Sequence, residues 1–295
     1  MPDWSALRAE VKARHPSRET WHEVWTDIAR QWICKIRERL PQGYTLFESA
    51  KFLLLANTTS KRATEVLRFL EKTDAGIRAA IPALLPKQLY GKFVALIFAD
   101  DRDFYGYISQ FYRDGDFGAM GGVYINRGYG HFAMPSPELR SFVAVLAHEL
   151  CHAYLAHLPL PLWLDEAITA GVEHAVAHTD PYKLNRELIR RHRDYWTEER
   201  IAGFWHGRQF RSPDEGKELS YHLARFILYS LYAGGNTPRR AMDEFFLTAR
   251  HEDAGQAAAI EVFGFGLGEC VASLLGEGNW DPLPPPPKKP ADASA

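Results

Sequence analysis

Cysteine is scarce in this sequence: Cys34, Cys151 and Cys270 are the only three in 295 residues, odd in number and far apart. That argues against a disulfide framework and suits a reducing compartment. Charge of one sign is missing too. Thirty-five basic residues face 37 acidic ones, so the electrostatic footprint that nucleic acid or an anionic membrane would require is not there, and neither partner is expected. No stretch approaches the roughly 20 apolar residues of a membrane span. The opening "MPDWSALRAEVKARHP" carries charges throughout and no apolar core of a secretory signal. The chain reads as soluble and cytoplasmic, without internal repeats and long enough to bury a sizeable core.

Apolar residues at helical spacing predict a helix over Ser17–Leu40, with Thr20 and Glu23 as a capping box and a stripe of tryptophans to dock on the rest of the chain. The period then changes. "TLFESAKFLLLANT" and "KFVALIFAD" are short apolar runs that predict strands, and the segment between them predicts a helix. "DDRDFYGYISQFY" predicts another helix, and Gly122–Asn126 a glycine-flanked strand at a sheet edge. From Ser136 to about Gly276 the pattern is helical, and the closing "DPLPPPPKKPADASA" predicts a disordered or polyproline tail. The organisation expected is therefore α+β and helix-rich. An amino-terminal helical segment (1–44) is followed by a mixed α/β subdomain (45–134), a helical subdomain (135–278) and the tail (279–295).

The helical subdomain opens with "AVLAHELCHAYL". His148 and His152 are four apart, so on a helix their imidazoles project from one face and can share a tetrahedral ion. Glu149, about 100° around the helix from His148, is kept off the ion but within reach of a water there, as a general base would be. Neutral imidazole suits zinc, and zinc lowers the pKa of water toward about 7. One zinc ion is therefore the expected cofactor. The flanks are strongly apolar, and two histidines with a glutamate in a buried helix would be costly without a metal. A catalytic zinc needs a third protein ligand. Pro159 and Pro161 mark a turn into "LWLDEAITAGVEH", which offers Glu166 with Asp165 as its rival, while His157 is a weaker candidate. Cys151, inside the motif, reads as a small buried thiol.

"HELCH" followed by "LPLWLDEAITAGVE" resembles the gluzincin metallopeptidases, most closely the bacterial peptidase MA-like families, in which an HExxH helix precedes a helix bearing "W-L-x-E". The likeness of pattern extends over roughly residues 45 to 275. It implies a zincin-like fold, with zinc on His148, His152 and Glu166 and Glu149 as base. The chain also departs from the pattern. Ala167 replaces the usual glycine, and Ala170 stands where thermolysin-type enzymes place an aspartate. The carboxylate that orients a zinc histidine must then come from elsewhere. Glu173, two turns along the face of Glu166, suits that role or a surface salt bridge equally.

The resemblance implies hydrolysis of a peptide or protein substrate, with a further donor for the carbonyl oxygen from a later helix. Tyr221 opens the segment that resembles the family's tyrosine-bearing helix, and His222 is the alternative. If Gly122, Val123 and Tyr124 form an edge strand beside the cleft, an extended peptide can add to it by backbone hydrogen bonds. Two rivals to an enzyme stand beside this reading. One is a zincin-fold module that binds peptides with little turnover, and the other is an interaction protein without metal.

Overall fold

The computed structural model describes residues 2–112, 121–135, 139–177, 183–232 and 235–282, without the side chains of 139–144 and 177. The proline-rich tail therefore lies almost wholly outside the described residues. The protein is α+β and helix-rich, with one five-stranded mixed sheet. It divides into two compact units, Met1–His157 with Val172–Asp180, and Leu158–Gly171 with Pro181–Ala295.

The first unit is built on the sheet. Strands β1 (Thr45–Glu48) and β2 (Phe52–Ala56) form an antiparallel pair, and β2, β3 (Phe93–Phe98) and β5 (His131–Pro135) run parallel. Strand β4 (Val123–Ile125) adds antiparallel to β5, giving the order β1-β2-β3-β5-β4. Strands β2 and β3 are unbroken apolar runs because both faces of a parallel sheet are covered. Leu53, Leu55, Val94, Leu96, Phe98, Val123, Ile125 and Ala133 share one core with Ala29, Trp32, Phe104 and Ile108. That core lies under helices α2 (Trp21–Arg37) and α4 (Asp101–Ile108). The alternate strand residues face helix α3 (Ser60–Ala80) and helix α5 (Leu139–Leu155), where Phe93 meets Tyr154 edge-on.

Several elements differ from the reading of the sequence. "TLFESAKFLLLANT" holds two strands, because Ser49–Lys51 turns the chain and the Glu71 carboxylate accepts from both the Ser49 hydroxyl and the Lys51 amide. Within the amino-terminal helical segment, a separate helix α1 (Trp4–Arg14), capped by Asp3, precedes the helix predicted from Ser17. Helix α2 begins only at Trp21, and Thr20 makes no capping bond. Its backbone is already helical, and the Ser17 hydroxyl instead accepts from Glu19 to start a 3-10 turn. Strand β5 was also missed, since a histidine and a proline bracket only three apolar residues. The tryptophan stripe does pack inward: Trp32 is buried and meets Trp4 edge-on.

His131 is the one histidine in the sheet, fully buried, with Nδ1–H donating to the Tyr129 carbonyl and Nε2 accepting from the Tyr107 hydroxyl, both at 2.7 Å. Burial pushes its pKa down to about 4. The unfolded chain, with a histidine near 6.5, binds the proton first as pH falls. Stability from this group is thus complete above pH 6.5 and is lost between pH 6.5 and 4, by about 3 kcal/mol. A proton-detected imidazole titration should show His131 neutral down to pH 5, and a midpoint above 6 would contradict this.

The second unit is helical. Its elements are the first half of α6 (Leu162–Ala177), then α7 (Arg186–Tyr195), α8 (Glu198–Trp205), α9 (Gly216–Leu231), α10 (Arg239–Thr248), α11 (Gln256–Phe263) and α12 (Leu267–Leu275). Leu219, Leu223, Ile227 and Leu231, at i, i+4, i+8 and i+12, are the buried stripe of α9. The basic run on α7 is a solvated face, with Arg191 gripping Glu215 and Glu218. Helix α5 belongs with the sheet because it packs on β4 and α3. Among the described residues, no single helix is long and apolar enough to cross a membrane.

Candidate metal centre

Helix α5 buries Leu146, Ala147, Leu150, Cys151 and Tyr154 and leaves His148, Glu149 and His152 half-exposed along another face. Cys151 is fully buried, the core thiol expected. A buried polar contact fixes the helix: the Tyr154 hydroxyl donates to Asp74 of α3, whose fully buried carboxylate also receives Lys51 and Arg78. The chain then turns through Pro159 and Pro161 into α6, where the Asp165 amide donates to the Pro161 carbonyl. Trp163 anchors the start of α6. It is fully buried, donates its indole N–H to the Ala254 carbonyl at 2.9 Å and meets Trp205 edge-on. The tryptophan of the "W-L-x-E" pattern is therefore a packing residue.

Helix α6 runs unbroken from Leu162 to Ala177 and carries two of the expected carboxylates. Glu173 lies 3.2 Å from His148 Nδ1. A carboxylate can only accept, so Nδ1 holds the proton and the Nε2 lone pair is turned the other way. That Nε2 faces His152 Nε2 at 3.1 Å. Two imidazole nitrogens this close either share a proton or face a common cation. Around one tetrahedral zinc they would stand about 3.3 Å apart. Glu166, seven residues before Glu173 and so on the same side of the helix, completes the set. Ligand atoms of His148, His152 and Glu166 all lie within 4.8 Å of one another. Glu166 is only 9% exposed. The donor set, two imidazoles and one carboxylate, could hold a metal ion.

The rivals fall elsewhere. His157 is exposed, and its Nδ1–H donates to the Tyr154 carbonyl at the end of its own helix. Asp165, next to Glu166, is not in the group.

Glu149 Oε2 accepts the backbone N–H of Tyr124 at 2.5 Å, a partnership the sequence did not reveal. It joins the metal helix to the edge strand. Antiparallel partners alternate between bonded and non-bonded pairs. With the Tyr124 amide turned to Glu149, the polar groups of Val123 turn toward β5, and its side chain is buried in the core. In that register the Val123 backbone faces its partner strand. Tyr124 offers its carbonyl, but its N–H is engaged. Gly122 is explained by proximity: a Cβ there would come within 2.9 Å of Val145 on α5 and 3.3 Å of Met134. Tyr221, on α9, is half-buried and packs edge-on against Phe210, with ring centroids 5.2 Å apart. His222 is half-buried, and burial lowers its pKa. No family model matches the chain, and no curated protein matches it.

Proposed function

We propose that the chain is a zinc-dependent metallopeptidase with a gluzincin-like, zincin-type arrangement, acting in the cytoplasm on peptide or protein substrates. The observation that carries this is the convergence of His148, His152 and Glu166 beside a glutamate-held imidazole, with the Glu149 carboxylate adjacent. His148, His152 and Glu166 would hold one zinc ion. When bound, zinc supplies Lewis acidity for a carbonyl oxygen and lowers the pKa of water. Glu173 keeps the proton on His148 Nδ1 and so keeps Nε2 a ligand. Glu149 takes the proton of the attacking water at its carboxylate and returns it to the leaving amine. The Tyr124 N–H fixes one oxygen of that carboxylate, so the base is oriented before substrate arrives. The carbonyl oxygen also needs a donor as charge develops there, a role that the resemblance assigns to Tyr221, with His222 as the alternative. The outward carbonyl of Tyr124 and the backbone of Gly122 guide the substrate main chain.

One observation favours a second reading. Glu149 already serves as a tether between β4 and α5, and a zincin-fold peptide-binding module with little turnover would need it for nothing more.

The test is zinc content per chain, together with hydrolysis of a mixed peptide library, in the parent and in Glu166→Ala. The parent should carry close to one zinc, lose hydrolysis on chelation and regain it when zinc is restored. Glu166→Ala should retain less than a tenth of the zinc. A parent that holds no zinc after reconstitution would remove the enzyme reading, and a zinc-loaded parent that cleaves nothing would leave the binding module.

A further inference from the structure

The first unit contains a cavity of about 600 Å³ between the carboxyl-terminal end of α2 and helix α4. It lies on the sheet face opposite to α5, so it is separate from the histidines. Its floor is apolar and fixed. The Trp32 ring meets the His131 ring edge-on at 4.9 Å, and the Tyr107 hydroxyl is bonded to His131 Nε2, whose ring is pinned in turn by the Tyr129 carbonyl. Ile36 adds an aliphatic wall.

The mouth has the opposite character. Lys35, Arg39 and Arg102 line it, all exposed, against a single carboxylate, Asp103. Among the described residues none of the three cations is in an ion pair. Asp103 is directed to the Tyr44 hydroxyl at 3.4 Å. In a chain with no net basic excess, three cations without an ion pair among the described residues, set around one opening, form a local field of one sign.

Gly106 supplies an independent observation. It stands inside α4, where glycine is less stable than alanine. It lines the cavity, and a Cβ built on it meets nothing within 4 Å. Backbone geometry does not require glycine there, since its φ is not positive. A side chain at this position would project into open space at the cavity wall, so the glycine keeps that wall open.

We infer that this cavity binds a small organic acid: an aromatic or branched apolar body on the Trp32–Tyr107 floor, with one carboxylate held at the mouth by Arg39 and Arg102. The volume suits a small ligand in a pocket with an apolar lining and a few polar groups that fix orientation. The guanidinium forks match a planar carboxylate. Asp103, the negative group of the mouth, disfavours a doubly charged head such as a phosphate monoester. The site needs neither zinc nor hydrolysis, so it stands apart from the reading of the metal centre.

The test is calorimetric titration of the full chain with 2-naphthylacetate, its neutral amide and 2-naphthyl phosphate. The carboxylate should bind saturably, at least tenfold more tightly than the amide and more tightly than the phosphate. Arg39→Glu with Arg102→Glu should weaken carboxylate binding at least tenfold and leave the amide unchanged. Gly106→Leu should abolish binding of all three without lowering the thermal midpoint. Should that variant fail to fold, the charge-reversed pair carries the same decision. Absence of saturable binding, equal binding of acid and amide, or insensitivity to both sets of substitutions would overturn the proposal. Tighter binding of the phosphate would overturn the assignment of the head group.

Discussion

Replacing Glu149 with glutamine is expected to lower peptide turnover by about two to four orders of magnitude, the usual worth of a positioned general base, while zinc content and thermal stability stay unchanged. The structure explains why this substitution isolates chemistry. Glu149 uses one oxygen to accept the Tyr124 N–H, and a glutamine carbonyl can accept the same bond. The other position becomes an amide NH₂, which cannot take a proton at neutral pH. The tether between β4 and α5 therefore survives, and only the proton acceptor is lost. Glu149→Ala would remove both, and loss of activity there would not separate catalysis from strand position. Hydrolysis by Glu149→Gln within fivefold of the parent would show that this carboxylate is a tether and not a base.

Asp74→Ala should destabilise the first unit by about 3 kcal/mol, read as a lower urea midpoint. The carboxylate is fully buried, whereas Lys51 and Arg78 remain 42% and 40% exposed. Once Asp74 is gone the two cations can turn to water. The Tyr154 hydroxyl cannot, because that side chain is buried in the interface of α5 with α3. The cost is a charge-assisted hydrogen bond together with a buried donor left unsatisfied, each worth roughly 1–3 kcal/mol. The surface ion pairs add little to this. Tyr154 is also two residues beyond His152, so a loosened α5 should weaken zinc retention as well. Adding Tyr154→Phe to Asp74→Ala removes the orphaned hydroxyl and should recover part of the loss. A single variant with an unchanged urea midpoint would contradict this account of how α5 is held.

Much of the candidate site was legible along the chain because it follows helical periodicity. Two histidines four apart share a face wherever they occur on a helix, and Glu166 and Glu173, seven apart, share a face on the next one. What could not be read was which neighbour each group would meet. Glu173 had two equal roles until tertiary packing brought it 3.2 Å from His148 Nδ1. The Tyr124 N–H on Glu149 joins residues 25 positions apart through a backbone group that carries no sequence signal. Asp74 did leave a trace, as a carboxylate on the apolar stripe of α3 between Leu70 and Ile77, all three buried. Such a residue marks a buried partner without naming it.

The strands follow the same division. The apolar runs of β2 and β3 are continuous because they are covered on both sides, and their composition alone made them visible. Strand β5 is as deeply buried, yet its "HFAMP" lacks a pattern; pairing with β3 and β4 makes it a strand. By itself, then, the sequence determined the helical faces and the donor types, since these depend on residue identity and on spacing within one element. Tertiary structure alone decided which carboxylate orients which histidine, which amide holds the base and where a cavity opens. Those depend on distances between elements, which local periodicity does not encode.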